Sequence, residues 1–216
     1  MASISATHLS RLAADLARWT DESLAWAELD EAYSTGSSMM PQKRNPDTAE
    51  LVRAKAARVA ADFVAVTALL QGLPVGYHRD LQEDKEPVFD TVDTLNIVLP
   101  AITGAVATVR FDVAALRDAS AAEGLYATDL AEALVKGGVP FREAHRRTGT
   151  LLKELAGRDG TLTSMTDEEW EAFGVPGGRA LLDPDASVAA HAIPGGPSPQ
   201  SVRAQADALE AFLAQR

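Results

Sequence analysis

Three long stretches of this sequence carry apolar side chains at intervals of three and four residues, the spacing of one face of an α-helix. The first covers residues 4–29, the second about 45–70, and the third runs from the end of an irregular segment at Arg79 to about Phe111. At 1.5 Å per residue the second would be roughly 36 Å long, well above the average for globular proteins. Long helices joined by irregular segments are typical of a helical bundle. The sequence therefore predicts an all-α fold.

Beyond about Gly124 the predicted elements become shorter, and glycine and proline become frequent. Four short helices are predicted in this part of the chain, over residues 128–136, 140–156, 166–173 and 198–215. Thr166 and Glu169 have the spacing of a capping box, and Ser198 before Pro199 is a typical helix start. No strand pattern persists, and no repeat of fixed period is present.

This change in composition and in the length of the predicted helices divides the chain into two predicted domains. Residues 1–122 are expected to form a segment of a long-helix bundle, with an irregular loop at 30–46 that breaks any regular element. Residues 123–216 are expected to form a small helical C-terminal domain. The predicted architecture is therefore part of a bundle followed by a smaller helical unit.

The composition argues against several classes of protein. The chain has no cysteine, which excludes disulfide frameworks, thiolate zinc sites and cysteine nucleophiles. A formal net charge of −11 argues against non-specific binding to nucleic acid or to an anionic membrane surface. No run of about 18 apolar residues is free of charge, so we expect no membrane span. The first residues lack the basic region of a secretory signal, and we expect a cytoplasmic location.

The spacing of histidine, aspartate and glutamate residues does not suggest a metal site, and no glycine pair has the setting of a phosphate loop. The four histidines are assigned no catalytic role; they are His8, His78, His145 and His191. His191 is expected to be solvent-exposed in a loose C-terminal tail. We therefore expect neither a cofactor nor a metal ion.

The first candidate site is the segment 36–46, Gly-Ser-Ser-Met-Met-Pro-Gln-Lys-Arg-Asn-Pro. Between Tyr33 and Pro46 there is no acidic residue and there are two basic ones, in a chain that is otherwise negative. A glycine–serine loop with a nearby lysine, ending at a helix N-terminus, is a plausible anion site. The segment is equally well explained as a polar connection in which Asn45 caps the next helix. The residues alone leave both interpretations open.

The second candidate site is the segment 76–86, Gly-Tyr-His-Arg-Asp-Leu-Gln-Glu-Asp-Lys-Glu. Its acidic residues suit the positive end of a helix dipole, which is a sufficient structural explanation for them. That explanation does not account for Tyr77, Gln82 and Lys85 occurring together.

Both segments resemble known motifs. Segment 36–46 resembles the serine loop of the fumarase/aspartase superfamily, Gly-Ser-Ser-x-Met-Pro-x-Lys-x-Asn-Pro. Segment 77–85 resembles the Tyr-Asn-x-Asp-Leu-Gln-Glu-Asp-Lys block of the argininosuccinate lyases, the branch that includes the delta-crystallins, with His78 in place of the usual asparagine. Further similarity is found at residues 7–11, 127–130 and 140–145.

The resemblance covers only about the C-terminal half of the usual length of the family. Two earlier blocks of the family have no counterpart in this sequence, one with a catalytic histidine and one with a Ser-Arg-Asn substrate contact. We therefore expect a fragment, a split half or a truncated gene product. We also expect the chain to be inactive alone, with a separate N-terminal half as a candidate partner.

The resemblance implies an enzyme of arginine biosynthesis and the urea cycle, which cleaves argininosuccinate to arginine and fumarate by non-hydrolytic elimination. It implies that Ser37 is the catalytic base and that Lys43 and Asn45 stabilise the charge of the intermediate. Glu50 matches the carboxylate that orients the family's histidine, which here would have to come from another chain. Tyr77, Gln82 and Lys85 match substrate-binding positions.

The resemblance further implies a homotetramer whose active sites are assembled from different subunits. Two alternatives are kept: a non-catalytic helical assembly of the same fold, as some crystallins are, and another lyase of the same superfamily. The intact Ser37, Lys43 and Asn45 favour catalytic ancestry over the first alternative. The block from Tyr77 to Lys85 argues against the second.

Overall fold

The computed structural model describes residues 1–215 and confirms the all-α prediction. The α-helices of the described residues are α1 (Ala2–Trp19), α2 (Asp47–Leu70), α3 (Lys85–Thr108), α4 (Val113–Ser120), α5 (Ala127–Lys136), α6 (Phe141–Gly157), α7 (Asp167–Phe173), α8 (Pro184–Ala190) and α9 (Pro199–Leu213). The described residues also contain four β-strands of two residues each: β1 (Ala27–Glu28), β2 (Thr35–Gly36), β3 (Arg44–Asn45) and β4 (Arg110–Phe111). Short 3-10 turns occupy Glu31–Tyr33, Arg79–Asp84, Glu123–Tyr126, Leu162–Ser164 and Gly178–Leu181.

The chain forms two compact units, one from Met1 to Leu116 and one from Arg117 onward. The domain boundary that the change in composition predicts, after residue 122, lies within the second unit. In the first unit, α1 and α3 both pack on α2. One buried alanine from each of these helices, Ala13, Ala49 and Ala105, lies in a shared core and has no exposed surface. Small side chains at these positions allow the helices to approach closely.

The first helix is shorter than predicted. It ends at Trp19 rather than near residue 29, because the Asp21 carboxylate accepts hydrogen bonds from the amide and hydroxyl of Ser23 and forms a local turn. Ala25 then adopts a left-handed backbone conformation with φ of 50°, which a continuing helix does not allow.

Beyond this turn the chain enters an antiparallel ribbon in which β1 pairs with β4, with Ala27 opposite Phe111 and Glu28 opposite Arg110. The same ribbon explains why α3 ends at Thr108 instead of Phe111. A strand of two residues is too short to show the alternating apolar and polar pattern of a β-strand, so the sequence analysis did not predict this pairing.

The segment Arg79–Thr108 is long and apolar enough to cross a membrane, judged by length and composition alone. This criterion admits charged residues within the window, whereas the sequence argument concerned apolar runs free of charge, and so the expectation of no membrane span stays a prediction. The core helix of a soluble protein passes the same test, and so the finding is weak evidence for a membrane span.

The second unit is built around Trp170, which has no exposed surface and packs with Leu130, Leu134, Leu162 and Met165. The four predicted helices are present as α5, α6, α7 and α9. The sequence missed α4 and α8, which have eight and seven residues and show no clear period. The equally short α7 was predicted because its capping box marks its start.

Both predicted helix caps are confirmed. The Thr166 hydroxyl accepts from the Glu169 amide, and the Glu169 carboxylate accepts in return from the Thr166 amide. At the start of α9, the Ser198 hydroxyl accepts from the Ser201 amide. These caps satisfy amide groups that the first turn of a helix leaves without partners.

The Glu123 carboxylate joins two parts of the second unit. One of its oxygens accepts from the Leu162 amide at 2.6 Å, and the other accepts from the amide and the hydroxyl of Thr163 at 3.1 and 2.5 Å. Burial raises the pKa of this carboxyl, but the hydrogen bonds outweigh burial, and the net pKa lies below its usual value. The folded state therefore favours the ionised form.

Glu123→Gln should destabilise the Leu162–Ser164 turn at neutral pH by about 1 kcal/mol, because a neutral amide oxygen is a weaker acceptor. The contribution of the carboxylate is complete above the unfolded-state pKa of about 4.3, and it is lost as the pH falls through the lower native pKa. Native-state hydrogen exchange at the Leu162 and Thr163 amides measures the free energy of opening. The difference between wild type and variant should shrink from about pH 5 to pH 3; a constant difference would contradict this assignment.

A glycine of α3 makes room for the aromatic residue that precedes the candidate serine loop. A Cβ atom built on Gly104 would overlap the hydroxyl and ring of Tyr33. Tyr33 closes the 3-10 turn Glu31–Tyr33 and packs against the core of the first unit. The position of this turn therefore depends on residue 104 being glycine, which has no side chain to collide with Tyr33.

Gly104→Ala should destabilise the first unit by about 1–3 kcal/mol, the usual cost of overpacking. An alanine in a helix interior ordinarily stabilises by about 0.5–1 kcal/mol, so the expected sign is opposite to that of helix propensity. Urea unfolding followed by circular dichroism measures the change.

Gly149→Ala in α6 is the matched control, because a Cβ there has no neighbour within 4 Å, and it should be neutral or stabilising. Adding Tyr33→Phe to Gly104→Ala should recover part of the loss, since the hydroxyl is the atom nearest to the added methyl. Equal stability of Gly104→Ala and Gly149→Ala would show that Tyr33 moves aside without cost.

Candidate active site

The serine loop is closed at its base by a short antiparallel ribbon. Strand β2 pairs with β3, with Thr35 opposite Asn45 and Gly36 opposite Arg44, so that residues 37–43 form the loop between them. Asn45 therefore belongs to a strand, and the prediction that it caps the next helix is wrong. Pro46 occupies the N-cap position of α2, and no side chain caps that helix end.

The Ser37 hydroxyl lies at the start of this loop and is half-buried. Its oxygen accepts hydrogen bonds from the amides of Met39 and Met40, both at 3.2 Å. Donors that point at one oxygen stabilise negative charge on it, and so they favour the deprotonated form of the serine. The sequence could not reveal these donors, because any residue except proline supplies a backbone N–H at those positions.

The two basic residues of the loop differ in their surroundings. The Arg44 guanidinium donates to the Glu31 carboxylate at 2.7 Å, so its charge is balanced locally. Lys43 is half-buried, and its backbone amide donates to the Met40 carbonyl at 3.0 Å. Within residues 1–215 its ammonium has no ion-pair or hydrogen-bond partner. Of the two basic residues in the loop, Lys43 is therefore the one whose positive charge is available to a bound anion.

Side chains of α2 lie next to the base of the loop. The Thr35 hydroxyl donates to the Asp47 carboxylate, which joins the ribbon to the first turn of the helix. Glu50 is also in this first turn, with its amide donating to the Pro46 carbonyl and its side chain exposed to solvent. Four predicted residues, Ser37, Lys43, Asn45 and Glu50, thus lie at the N-terminal end of α2.

The three other predicted residues lie between α2 and α3. The Gln82 amide donates to the Tyr77 hydroxyl at 2.5 Å, so the structure brings these two side chains together. Lys85 is the first residue of α3, with its ammonium 3.6 Å from the Asp84 carboxylate. All three side chains are exposed, and Tyr77 is 72% exposed. No side chain of the Arg79–Asp84 turn caps α3.

The two groups of predicted residues lie at opposite ends of α2. The serine loop comes directly before Asp47, and the Tyr77 segment follows Leu70. A helix of 24 residues with a rise of 1.5 Å per residue separates its ends by about 36 Å. A small substrate cannot reach across this distance. One copy of the chain therefore does not assemble all the predicted residues into one site.

A cavity of about 480 Å³ lies in the second unit, between α6 and α7, and contains none of the predicted residues. Three arginines line it, but each has a partner. Arg146 pairs with Glu143 at 2.5 Å, Arg158 pairs with Glu169 at 2.6 Å, and Arg147 donates to the Phe173 carbonyl. Carboxylates balance the charges of Arg146 and Arg158, and the Phe173 carbonyl engages the Arg147 guanidinium without balancing its charge.

Comparison with known families gives two matches. The family model described as "Lyase" matches residues 1–61, and the model described as "Argininosuccinate lyase C-terminal" matches residues 124–189. The first match includes the serine loop. The second lies wholly within the second compact unit.

Individual relatives agree with these families. The chain is 45% identical over 216 residues to the argininosuccinate lyase of Frankia casuarinae, covering 99% of this chain and 47% of the relative. It is 44% identical to that of Renibacterium salmoninarum, covering 95% and 44%. A solved structure of an EDDS lyase variant with bound fumarate superposes with a TM-score of 0.84 at 26% identity, covering 99% of this chain and 45% of that one.

The chain spans somewhat less than half the length of the curated relatives that it matches. The matched part is their C-terminal half, in agreement with the family model that covers the second unit. The fold, the two family matches and the identity across the whole chain lead to one conclusion. The chain belongs to the argininosuccinate lyase family of the fumarase/aspartase superfamily and corresponds to the C-terminal half of its members.

Proposed function

We propose that this chain is the C-terminal portion of an argininosuccinate lyase and supplies the serine loop of its active site. The reaction is the elimination of fumarate from argininosuccinate, with release of arginine. The observation that carries this proposal is the 45% identity to an argininosuccinate lyase over 99% of the chain. The bound fumarate of the EDDS lyase structure is consistent with a product of the same chemical class.

The difficult step of such an elimination is removal of a proton from a carbon next to a carboxylate. The electron pair of the broken C–H bond moves into the carboxylate, which becomes a dianion. The bond from the neighbouring carbon to the guanidino nitrogen then breaks, and the double bond of fumarate forms. The electron pair of the broken C–N bond stays on the nitrogen and neutralises the guanidinium charge, and the released arginine then takes up a proton from water. Groups that stabilise the dianion accelerate this step most.

We assign the proton transfer to Ser37. A serine hydroxyl is a poor base unless its deprotonated form is stabilised, and the Met39 and Met40 amides supply two donors to its oxygen. The unpaired ammonium of Lys43 and the side chain of Asn45 stabilise the dianion in this scheme. Exclusion of water from the closed site would strengthen each of these interactions.

We further propose that the complete site forms between subunits of a homo-oligomer, a tetramer by resemblance to the family. In this arrangement the serine loop of one chain meets the Tyr77 segment of another, which the separation of about 36 Å along α2 supports. The apolar side chains that α2 and α3 leave exposed support this arrangement, because association would bury them. They include Leu51, Phe63, Val64, Leu70, Val88, Phe89, Val92, Ile97, Leu99 and Val106.

Ser37→Ala should lower kcat at least about 100-fold, the low end for acid–base groups, and leave KM nearly unchanged. The measurement is fumarate absorbance, with this chain joined to, or mixed with, the N-terminal half of a relative. Ser38→Ala is the matched control, because this neighbouring hydroxyl is exposed, and it should keep near-normal turnover. Normal turnover in Ser37→Ala would refute the assignment of the base.

Two inactive variants should complement each other when they carry their defects at opposite ends of α2. Mixed oligomers of Ser37→Ala and Gln82→Ala should regain activity in about a quarter of their sites, if subunits assort at random. Mixing Ser37→Ala with Lys43→Met is the control, because both defects then belong to the same loop and no intact loop can form. Absence of recovery in the first mixture, with oligomers verified by light scattering, would refute the shared site.

A further inference from the structure

Three side chains of ligand type converge in the second unit, in a cluster that the proposed elimination does not use. Asp129 and Glu132 lie one turn apart on α5, and His191 directly follows α8. One potential ligand atom from each side chain lies within 4.8 Å of the other two. No spacing in the sequence indicates this cluster, because His191 is distant from the two acids along the chain. The prediction that His191 is a solvent-exposed tail residue is wrong, since its side chain is 34% exposed.

Ser187 of α8 holds two of these side chains in place. Its carbonyl oxygen lies 2.7 Å from His191 Nδ1, and because a carbonyl only accepts, Nδ1 must carry the proton. In the neutral ring Nε2 then has a free lone pair. The Ser187 hydroxyl donates to Asp129 Oδ2 at 2.6 Å. One residue therefore orients both the imidazole and the carboxylate.

The remaining ligand atoms face one another at distances longer than a hydrogen bond. Asp129 is only 8% exposed, and its Oδ1 lies 3.8 Å from His191 Nε2, beyond hydrogen-bond distance. The Glu132 carboxylate is half-buried and has no hydrogen-bond or ion-pair partner within the described part of the chain. Two carboxylates that converge on an imidazole nitrogen in this way attract a cation, either a proton on Nε2 or a metal ion.

We propose that Asp129, Glu132 and His191 bind a divalent transition-metal ion of the Zn²⁺ type. Imidazole favours Zn²⁺ and its neighbours in the first transition row over Mg²⁺ and Ca²⁺, and carboxylate oxygens complete such sites. The bonds that Ser187 makes to a histidine N–H and to a carboxylate are typical of the groups that orient metal ligands. Water would occupy the remaining coordination position.

The geometry needs only a small adjustment to hold such an ion. Zn²⁺ ligands at about 2.0–2.2 Å in a tetrahedral arrangement lie about 3.4 Å apart. The side chains would therefore close by about 1 Å, which the half-buried Glu132 and His191 have room to do. The ion would join α5 to the residue that follows α8, and so it would stabilise the second unit.

Titration of the metal-free full chain with Zn²⁺, followed by calorimetry and thermal unfolding, tests the proposal. We expect one site per chain and a higher Tm in the presence of saturating Zn²⁺. Glu132→Gln and His191→Gln should each weaken binding at least about tenfold, and Ser187→Ala should weaken it by about 10- to 100-fold through loss of orientation. With Co²⁺ as the probe, visible absorption should report a histidine-containing site that His191→Gln abolishes.

His145→Gln and Glu171→Gln are the matched controls, since both replace exposed residues of the second unit, and they should bind Zn²⁺ as the wild type does. Circular dichroism verifies that every variant is folded. Failure of the wild type to bind Zn²⁺, or binding that His191→Gln and Glu132→Gln leave unchanged, would overturn the proposal. Equal affinity for Mg²⁺ would also overturn it, because that result indicates non-specific binding to acidic groups.

Discussion

Close packing of α1 and α3 on α2 is the constraint on which the first unit depends. The buried alanines Ala13, Ala49 and Ala105 let the helices approach closely around a shared core. The 24 residues of α2 separate the two motifs that flank it. The same packing uses one face of α2 and α3 and leaves apolar side chains of these helices exposed. Separation of the motifs and exposure of an apolar surface thus have one physical origin.

Much of this architecture could be predicted, because long helices repeat a pattern over many turns. The bounds of α2 agree with the sequence to within two residues at its start, and the caps at Thr166 and Ser198 follow from local chemistry. One of the errors lies where structure depends on residues that are distant along the chain. The end of α3 is set by pairing of β4 with β1, which no local pattern indicates. The end of α1 is a local error, since the turn at Asp21 and the left-handed backbone at Ala25 stop that helix.

In the candidate site, too, the sequence identifies residues by their motif but does not show which groups they contact in the folded chain. The sequence identified Ser37 and Lys43 through a motif, but it could not show that two amides point at the serine oxygen or that Arg44 is neutralised by Glu31. Of the two interpretations that the residues left open, the one in which Asn45 caps α2 is wrong, because the backbone of Asn45 pairs with Thr35. Motifs identify side chains, whereas the chemistry of a serine base also depends on backbone groups and on the balance of neighbouring charges.

The ribbon at the base of the serine loop has a consequence for the timing of the proposed reaction. Among the described residues, two residue pairs and two polar side-chain contacts, Thr35 with Asp47 and Arg44 with Glu31, hold the base of the loop 37–43. A segment with so few buried contacts opens at a small free-energy cost compared with global unfolding. Loop rearrangements of this kind occur in microseconds to milliseconds, within the time of a typical turnover. The turnover rate of a complete enzyme would then depend on the lifetime of the closed loop as much as on the basicity of Ser37.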